Sequence, residues 1–364
     1  MKIAPLYHAL KKEDWAEPII VHTGQHYDAA MSDAFFMDLE LPDPDYHLGI
    51  GSGSHAEQTG GVMIAYEKML IETRPDMVVT VGDVNSTLAC TLAAVKISVN
   101  RSEAAKTGKT GRPLVAHLEA GLRSFDRTMP EEINRIVTDS IADILWTPSQ
   151  DGADNLLQEG IAKEKIVSVG NIMIDSLEML RPKIEAENAA KKYGLENGSF
   201  VLVTLHRPSN VDAREILKPL CDSLRRIAKK IPLIFPVHPR TLKNLEAYNL
   251  LNSLSQAEGI YIDEPIRYIE FMNLVFNSRL LITDSGGIQE ETTYLGIPCL
   301  TLRPNTERPI TITQGTNRLC STENVEETIK EVLEKKKSES KVPEFWDGKT
   351  AERVVKSIMQ LVAN

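Results

Sequence analysis

The sequence predicts an α/β protein of two domains, each built on a doubly wound parallel sheet, and three observations carry that prediction. The chain has 364 residues, more than one typical core, so two domains follow. Short apolar runs such as Met77–Thr80, Pro113–Ala116 and Leu280–Thr283 recur with helical stretches between them, the alternation of a parallel sheet with crossover helices. Several of these runs deliver aspartate, glutamate, histidine or arginine just past their ends, and the carboxyl edge of an open parallel sheet is where ligands bind.

Composition sets the outer limits. Hydrophobic residues make up 42% and charged residues 25%, as in an ordinary globular protein. No segment approaches the roughly 20 apolar residues of a membrane span, and the first residues lack a secretory signal pattern. A cytoplasmic protein without a membrane partner is therefore expected. Cys90, Cys221, Cys299 and Cys320 are too widely spaced for a disulfide framework or a zinc site and read as buried free thiols. A formal net charge of -10 argues against nucleic-acid binding, which needs basic surface. It leaves room for a small anionic ligand held by local arginines and helix N-termini.

Taken in order, MKIAPLYHALKK has apolar residues at helical spacing, whereas an α/β unit of this kind normally opens with a strand. A strand is expected over Glu17–His22, ending in HTGQH, whose Thr23-Gly24 favours a loop over a metal-binding helix face. LGIGSGSHAEQTG, Leu48–Gly60, leads into an amphipathic helix ending near Glu72. After the strand Met77–Thr80, Asp83 sits before a helix, where it can serve either as an N-cap or as a site acid. Asn100–Arg112 is polar and reads as an exposed loop; its TGKTG lacks the spacing of a phosphate-binding loop.

The stretch His117–Arg135, HLEAGLRSFDRTMPEEINR, crowds Glu119, Glu131 and Glu132 with Arg123, Arg127 and Arg135 past the end of a strand. It fits a salt-bridged surface loop or one wall of an active site, and the rest of the chain favours the second. A helix is expected over Asn134–Ile144, a strand over Ile166–Asn171, and a hinge over Asn171–Arg181.

A second strand-and-helix series then begins. SFVLVTLHRPSNVD delivers His206 and Arg207 to a strand end, and IPLIFPVHPRT repeats the form with His238 and Arg240. Basic pairs at successive strand ends suit an anion-binding crevice. The strand Leu280–Thr283 turns through Asp284-Ser285-Gly286-Gly287 into a helix bearing Gln289, Glu290 and Glu291. Glycines there let backbone N–H groups approach a phosphate at the helix N-terminus, and an acid further on can accept sugar hydroxyls. The chain ends with a charged connector and an amphipathic helix, DGKTAERVVKSIMQLVA.

Together HTGQH, SGSHAEQTG, GDVNSTLA, HLEAGLRS, PEEINR, GNIMID, HRPSNVD, VHPRT, TDSGGIQEE and GIPCLTLRPNTERP resemble, in order and over nearly the whole chain, the non-hydrolysing UDP-N-acetylglucosamine 2-epimerase family. The resemblance implies the GT-B arrangement of two Rossmann-like domains with an interdomain cleft, commonly as a homodimer. Residues 1–172 would form the N-terminal domain, 173–345 the UDP-binding domain, and 346–364 a helix returning to the first. It implies inversion at C2 of a UDP-sugar, giving UDP-N-acetylmannosamine by elimination and readdition of UDP through 2-acetamidoglucal, without a redox cofactor or an obligatory metal. Catalysis falls on Asp83, Glu119, Glu131 and His206, with the acid acting on each face left open. Substrate and UDP binding fall on Lys2, Arg123, Arg207, His238, Ser285, Gly286, Gly287 and Arg308, and ribose binding on Glu291. Gln25, His26, Gln58, Glu132 and His238 match a second, regulatory UDP-GlcNAc site of bacterial relatives.

One departure stands at the start. Relatives open with a strand and a G-T-R-P-E-x-I-K-x-A-P turn, and this chain matches only its end, Lys2, Ala4 and Pro5, so the first strand and the turn arginine are expected to be missing from the recorded sequence. Epimerisation of a UDP-2,3-diacetamido sugar, GT-B glycosyl transfer, and nucleotide-sugar binding without catalysis are the alternatives.

Overall fold

The computed structural model describes residues 1–24, 36–98, 111–334 and 341–362. The chain forms two compact units, Met1–Met179 with Glu344–Asn364, and Leu180–Pro343. Gln25 and His26, and nearly all of the loop expected over Asn100–Arg112, lie outside the described residues.

In the first unit, β1 (Val21–His22) pairs in parallel with β2 (Tyr46–His47). A separate parallel sheet runs in the order β3 (Met77–Val81), β4 (Leu114–Leu118), β5 (Ile144–Thr147) and β6 (Ile166–Ser168). Side chains alternate across it. Val78 and Val115 pack under the helices His55–Thr73 and Asn85–Lys96, while Ala116, Leu118 and Trp146 pack under the helices Ile3–Leu10 and Thr350–Val362. Burying Val354, Val355 and Ile358 of that last helix contributes about 1.5–3 kcal/mol apiece. Its N-terminal amides are capped from a distance, because the Asp175 carboxylate accepts Thr350 N at 3.1 Å and Ala351 N at 2.8 Å. At the start of His55–Thr73, Ser54 and Glu57 form a reciprocal capping box.

In the second unit six parallel strands are ordered β9-β8-β7-β10-β11-β12, with β7 Val201–Thr204, β8 Leu233–Pro236, β9 Ile260–Asp263, β10 Leu280–Thr283, β11 Cys299–Leu302 and β12 Asn317–Cys320. Counted from its own first strand this is the order 3-2-1-4-5-6 of a doubly wound nucleotide-binding sheet, and the direction of winding reverses between β7 and β10. Val201, Val203, Leu233, Phe235, Leu280 and Ile282 fill one side of its core.

The elements differ from the sequence expectation at several points; β6, for one, stops at Ser168 and does not reach Asn171. Of Glu17–His22, Val21 and His22 pair as a strand. The helix expected over Asn134–Ile144 spans Pro130–Ile141, because Pro130 suits a first turn and extended Ala142 feeds β5. The hinge expected over Asn171–Arg181 contains the boundary between the units, Met179 to Leu180, and is largely helix, Ile172–Ala186. Ile172, Ile174, Leu177, Leu180 and Ile184 are all buried along it. At about 1.5–3 kcal/mol each they outweigh the roughly 3 kcal/mol that internal Pro182 costs.

Candidate active site

Two acids stand at the carboxyl edge of the first unit's sheet. β3 is followed by Gly82, whose φ of 74° turns the chain into Asp83. The helix that follows has Val84 at its N-cap and no side-chain cap, so Asp83 does not cap it. Its carboxylate pairs with Arg135 Nη1 at 2.5 Å, and its carbonyl accepts Asn134 Nδ2 at 2.9 Å. Glu119 follows β4 directly, 5% exposed and at φ 81°. A non-glycine residue held in that region costs about 1–3 kcal/mol and marks a constrained, often functional position. Its carboxylate pairs with the Lys2 ammonium. A Cβ placed on Gly82 would lie 3.2 Å from Lys2 Nζ and 3.4 Å from Glu119 Oε2, so the Asp83 turn, Lys2 and Glu119 are neighbours.

The helix Pro130–Ile141 supplies the rest of this wall. Glu131 lies half-buried in its first turn, one turn before Arg135 on the same face. Glu132 accepts Ser124 N at 3.0 Å, Phe125 N at 2.8 Å and Arg135 Nη2 at 2.7 Å. Burial would raise its pKa, but the Ser124 amide and Arg135 outweigh that and hold it below the usual range. Arg135 thus ties Glu132 to Asp83.

In the second unit the winding reverses between β7 and β10, and both strand ends are polar. His206 and Arg207 follow β7, and Asp284-Ser285-Gly286-Gly287 follows β10. Asp284 is fully buried and joins the two turns: Oδ2 accepts His206 N at 3.0 Å, Arg207 N at 2.9 Å and Asn210 Nδ2 at 3.1 Å, and Oδ1 lies 3.0 Å from His206 Nδ1. Burial opposes its ionisation, yet these contacts keep its pKa below the usual range. The His206 side chain is 39% exposed. The His238 ring, after β8, lies 5.5 Å from that of His206. Burial and the His206 charge push the His238 pKa down.

Ser285, Gly286 and Gly287 are partly exposed and lead into the helix Ile288–Leu295, an N-terminus that favours an anion. Behind them is a buried ionic network. Arg308 pairs with Glu290 at 2.9 Å and with Glu307, and Arg303 donates to Glu307 at 2.8 Å. Glu291 is buried and accepts the Tyr268 hydroxyl at 2.5 Å. Burial, with Glu290 beside it, raises its pKa to about 7 against the opposing Tyr268 bond and Arg308 charge.

The sequence-derived residues divide accordingly. Lys2, Asp83, Glu119 and the Glu131 turn gather in one unit; His206, Arg207, His238, Ser285–Gly287, Glu291 and Arg308 lie in the other. Arg123, expected to bind ligand, has its side chain engaged within the first unit. It is 1% exposed, and its guanidinium bonds Glu159 at 2.8 Å, Asp139 at 2.7 Å and the Leu122 carbonyl at 2.8 Å. Of the residues matched to a regulatory site, Glu132 is bound internally as described, and Gln58 accepts Asn85 Nδ2 at 2.8 Å. Asp284, Asn210 and Tyr268 were not singled out from sequence; the position of Asp284 immediately after a buried strand was the available signal.

A family profile described as UDP-N-acetylglucosamine 2-epimerase matches residues 8–359. The UDP-N-acetylglucosamine 2-epimerase of Methanocaldococcus jannaschii is 43% identical over 98% of this chain and 94% of that protein. Its crystal structure in complex with UDP-GlcNAc and UDP superposes with a TM-score of 0.85 at 42% identity, covering 99% of this chain and 96% of that one. A UDP-2,3-diacetamido-2,3-dideoxy-D-glucuronate 2-epimerase of Pseudomonas aeruginosa is 39% identical over 88% of this chain and 84% of its own length.

Proposed function

The chain belongs to the UDP-N-acetylglucosamine 2-epimerase family, and from that premise we propose that it interconverts UDP-N-acetylglucosamine and UDP-N-acetylmannosamine. The C2 proton of such a sugar is weakly acidic, so inversion needs a base on one face, an acid on the other and relief of charge at C1. Breaking the C1–O bond as C2 gives up its proton yields 2-acetamidoglucal and UDP. Return of a proton to the opposite face, with attack of a UDP oxygen on C1, restores the bond in the inverted sugar. Atoms balance, since the proton and UDP that leave are replaced in kind.

The observation that carries this reading is the pair of strand-end acids, Asp83 and Glu119, each held by a cation, Arg135 and Lys2. These ion pairs fix both carboxyl groups at the strand ends, where a bound sugar can exchange a proton with them. Glu131, in the first turn of the helix that carries Arg135, is the third acid. The second unit suits the leaving group. His206, Arg207 and the Ser285–Gly287 turn present donors at a winding reversal, where phosphates bind. Glu291, Tyr268 and Arg308 stand ready for the ribose and base.

We also place the protein in the cytoplasm as a homodimer. Its four cysteines are free and buried, which suits a reducing compartment. Ile64 and Ile71 stand 63% and 55% exposed on one face of the helix His55–Thr73, a surface suited to a second copy. Incubation with UDP-GlcNAc and analysis by proton NMR tests the reading. UDP-ManNAc should accumulate to equilibrium, and Glu119→Gln should lose that turnover while still binding UDP. Preferred turnover of a 2,3-diacetamido sugar would reassign the substrate, and sugar transfer to an acceptor would refute epimerisation.

A further inference from the structure

His117, the last residue but one of β4, takes no direct part in this chemistry and is 0% exposed. Both of its ring nitrogens face oxygen. Nδ1 lies 2.6 Å from Asp139 Oδ1, and Nε2 lies 2.7 Å from the Gly82 carbonyl oxygen. A carbonyl oxygen has no hydrogen to give. Asp139 is held as a carboxylate, since its other oxygen accepts Gly121 N at 3.0 Å and pairs with Arg123 at 2.7 Å. A neutral imidazole has one N–H and one lone pair, so either tautomer would set a lone pair against an oxygen. The doubly protonated ring satisfies both contacts.

The same contacts reach the two acid-bearing turns. Gly82 immediately precedes Asp83. Gly121, at φ 84°, closes the turn that begins with Glu119, and its amide is bound by the carboxylate that holds His117. The charged groups around the ring are Asp139, Glu119, Arg123 and Glu159. Asp139 faces it from the helix Pro130–Ile141, Glu119 from the end of its own strand, and Arg123 from behind Asp139. Glu159, on the far side of Arg123, sits just past the helix Gln150–Gln158. His117 and Arg123 thus balance Asp139 and Glu159, which makes a buried cation tenable. Burial pushes the His117 pKa down, but Asp139, the Gly82 carbonyl and Glu119 outweigh it and leave the pKa raised.

We infer that His117 is kept as an imidazolium and is a positioning residue whose one cation fixes both the Asp83 turn and the Glu119 turn. The kinetic part rests on the reading of those acids as the proton-transfer groups; the charge state of the ring does not.

Long-range proton–nitrogen correlation on the whole chain labelled with 15N-histidine tests the charge state, with His117 assigned by the signals lost in His117→Gln. Both nitrogens should stay at protonated shifts from about pH 6 to 8, the range over which an ordinary histidine titrates. One unprotonated nitrogen at neutral pH would overturn the inference. In the kinetic arm, His117→Gln should lower kcat for C2 exchange about 100-fold with UDP affinity nearly unchanged, as for displaced reacting groups. Retention of kcat within about threefold, or a parallel loss of UDP affinity, would contradict positioning. Should that variant fail to fold, Asp139→Asn keeps the shape, removes the charge and is expected to show the same split. A wild-type chain without C2 exchange would sink the functional reading, and the nitrogen shifts would still decide the state of His117.

Discussion

Asp284→Asn offers the sharpest perturbation of the second unit. The carboxylate accepts on both oxygens: Oδ2 takes the His206 and Arg207 amides and Asn210 Nδ2, and Oδ1 shares the His206 amide at 3.1 Å and faces His206 Nδ1. An asparagine can keep its oxygen on the Oδ2 side and so retain three bonds. Its NH2 then faces His206 Nδ1, which must become an acceptor, and the ring proton moves to Nε2. One charge-assisted bond is lost, about 1.5–3 kcal/mol, or roughly 10- to 150-fold at about 1.4 kcal/mol per tenfold. The loss should appear in kcat for UDP-GlcNAc epimerisation, measured by proton NMR, with a smaller change in UDP affinity measured by calorimetry. Stability supplies a second check. A carboxyl whose folded pKa is depressed stabilises the fold above its unfolded pKa, near 3.9, and that contribution fades as pH falls through the lower folded value. Asp284→Asn should therefore lose stability at neutral pH and less of it in acid. A variant with wild-type kcat would refute the claim that Asp284 sets the His206 ring.

Three further outcomes follow from the geometry. Glu291, raised to about 7, accepts ribose hydroxyls better as an anion, so UDP binding should tighten as pH rises through 7 and Glu291→Gln should flatten that dependence in calorimetry. Gly121→Ala would force a Cβ into the Gly152 backbone at φ 84°; about 2–5 kcal/mol of stability should be lost, read from urea denaturation. Gly286→Val would drive a side chain against Glu307 and Arg308, so UDP affinity should fall in calorimetry, whereas wild-type affinity would show that the turn does not approach the phosphates.

The α/β class and the parallel sheets were legible because apolar runs and the helices between them are local signals, and Leu280–Thr283 is read at the bounds it adopts. Strand order was not legible. That β7 lies between β8 and β10 depends on pairings between residues far apart in sequence, such as Leu280 with Val201. The hinge expected over Asn171–Arg181 contains the boundary between the two units, but its helical conformation was not legible, because it rests on the burial of Ile172, Ile174, Leu177 and Leu180. Within His117–Arg135 the charges were visible but their partners were not. Nothing local to Arg123 shows that Asp139 and Glu159 close around it. Glu132 and Arg135 likewise look like free charges until the Ser124 turn folds onto them.

The central claim is that carboxylates of this chain remove and replace the C2 proton of a UDP-sugar. Incubation of UDP-GlcNAc with the protein in deuterated water, followed by NMR and mass analysis of the recovered nucleotide sugars, tests it most directly. Deuterium is expected at C2 in both the gluco and the manno product, and none with Glu119→Gln. Interconversion without C2 label, or label retained in Glu119→Gln, would contradict it.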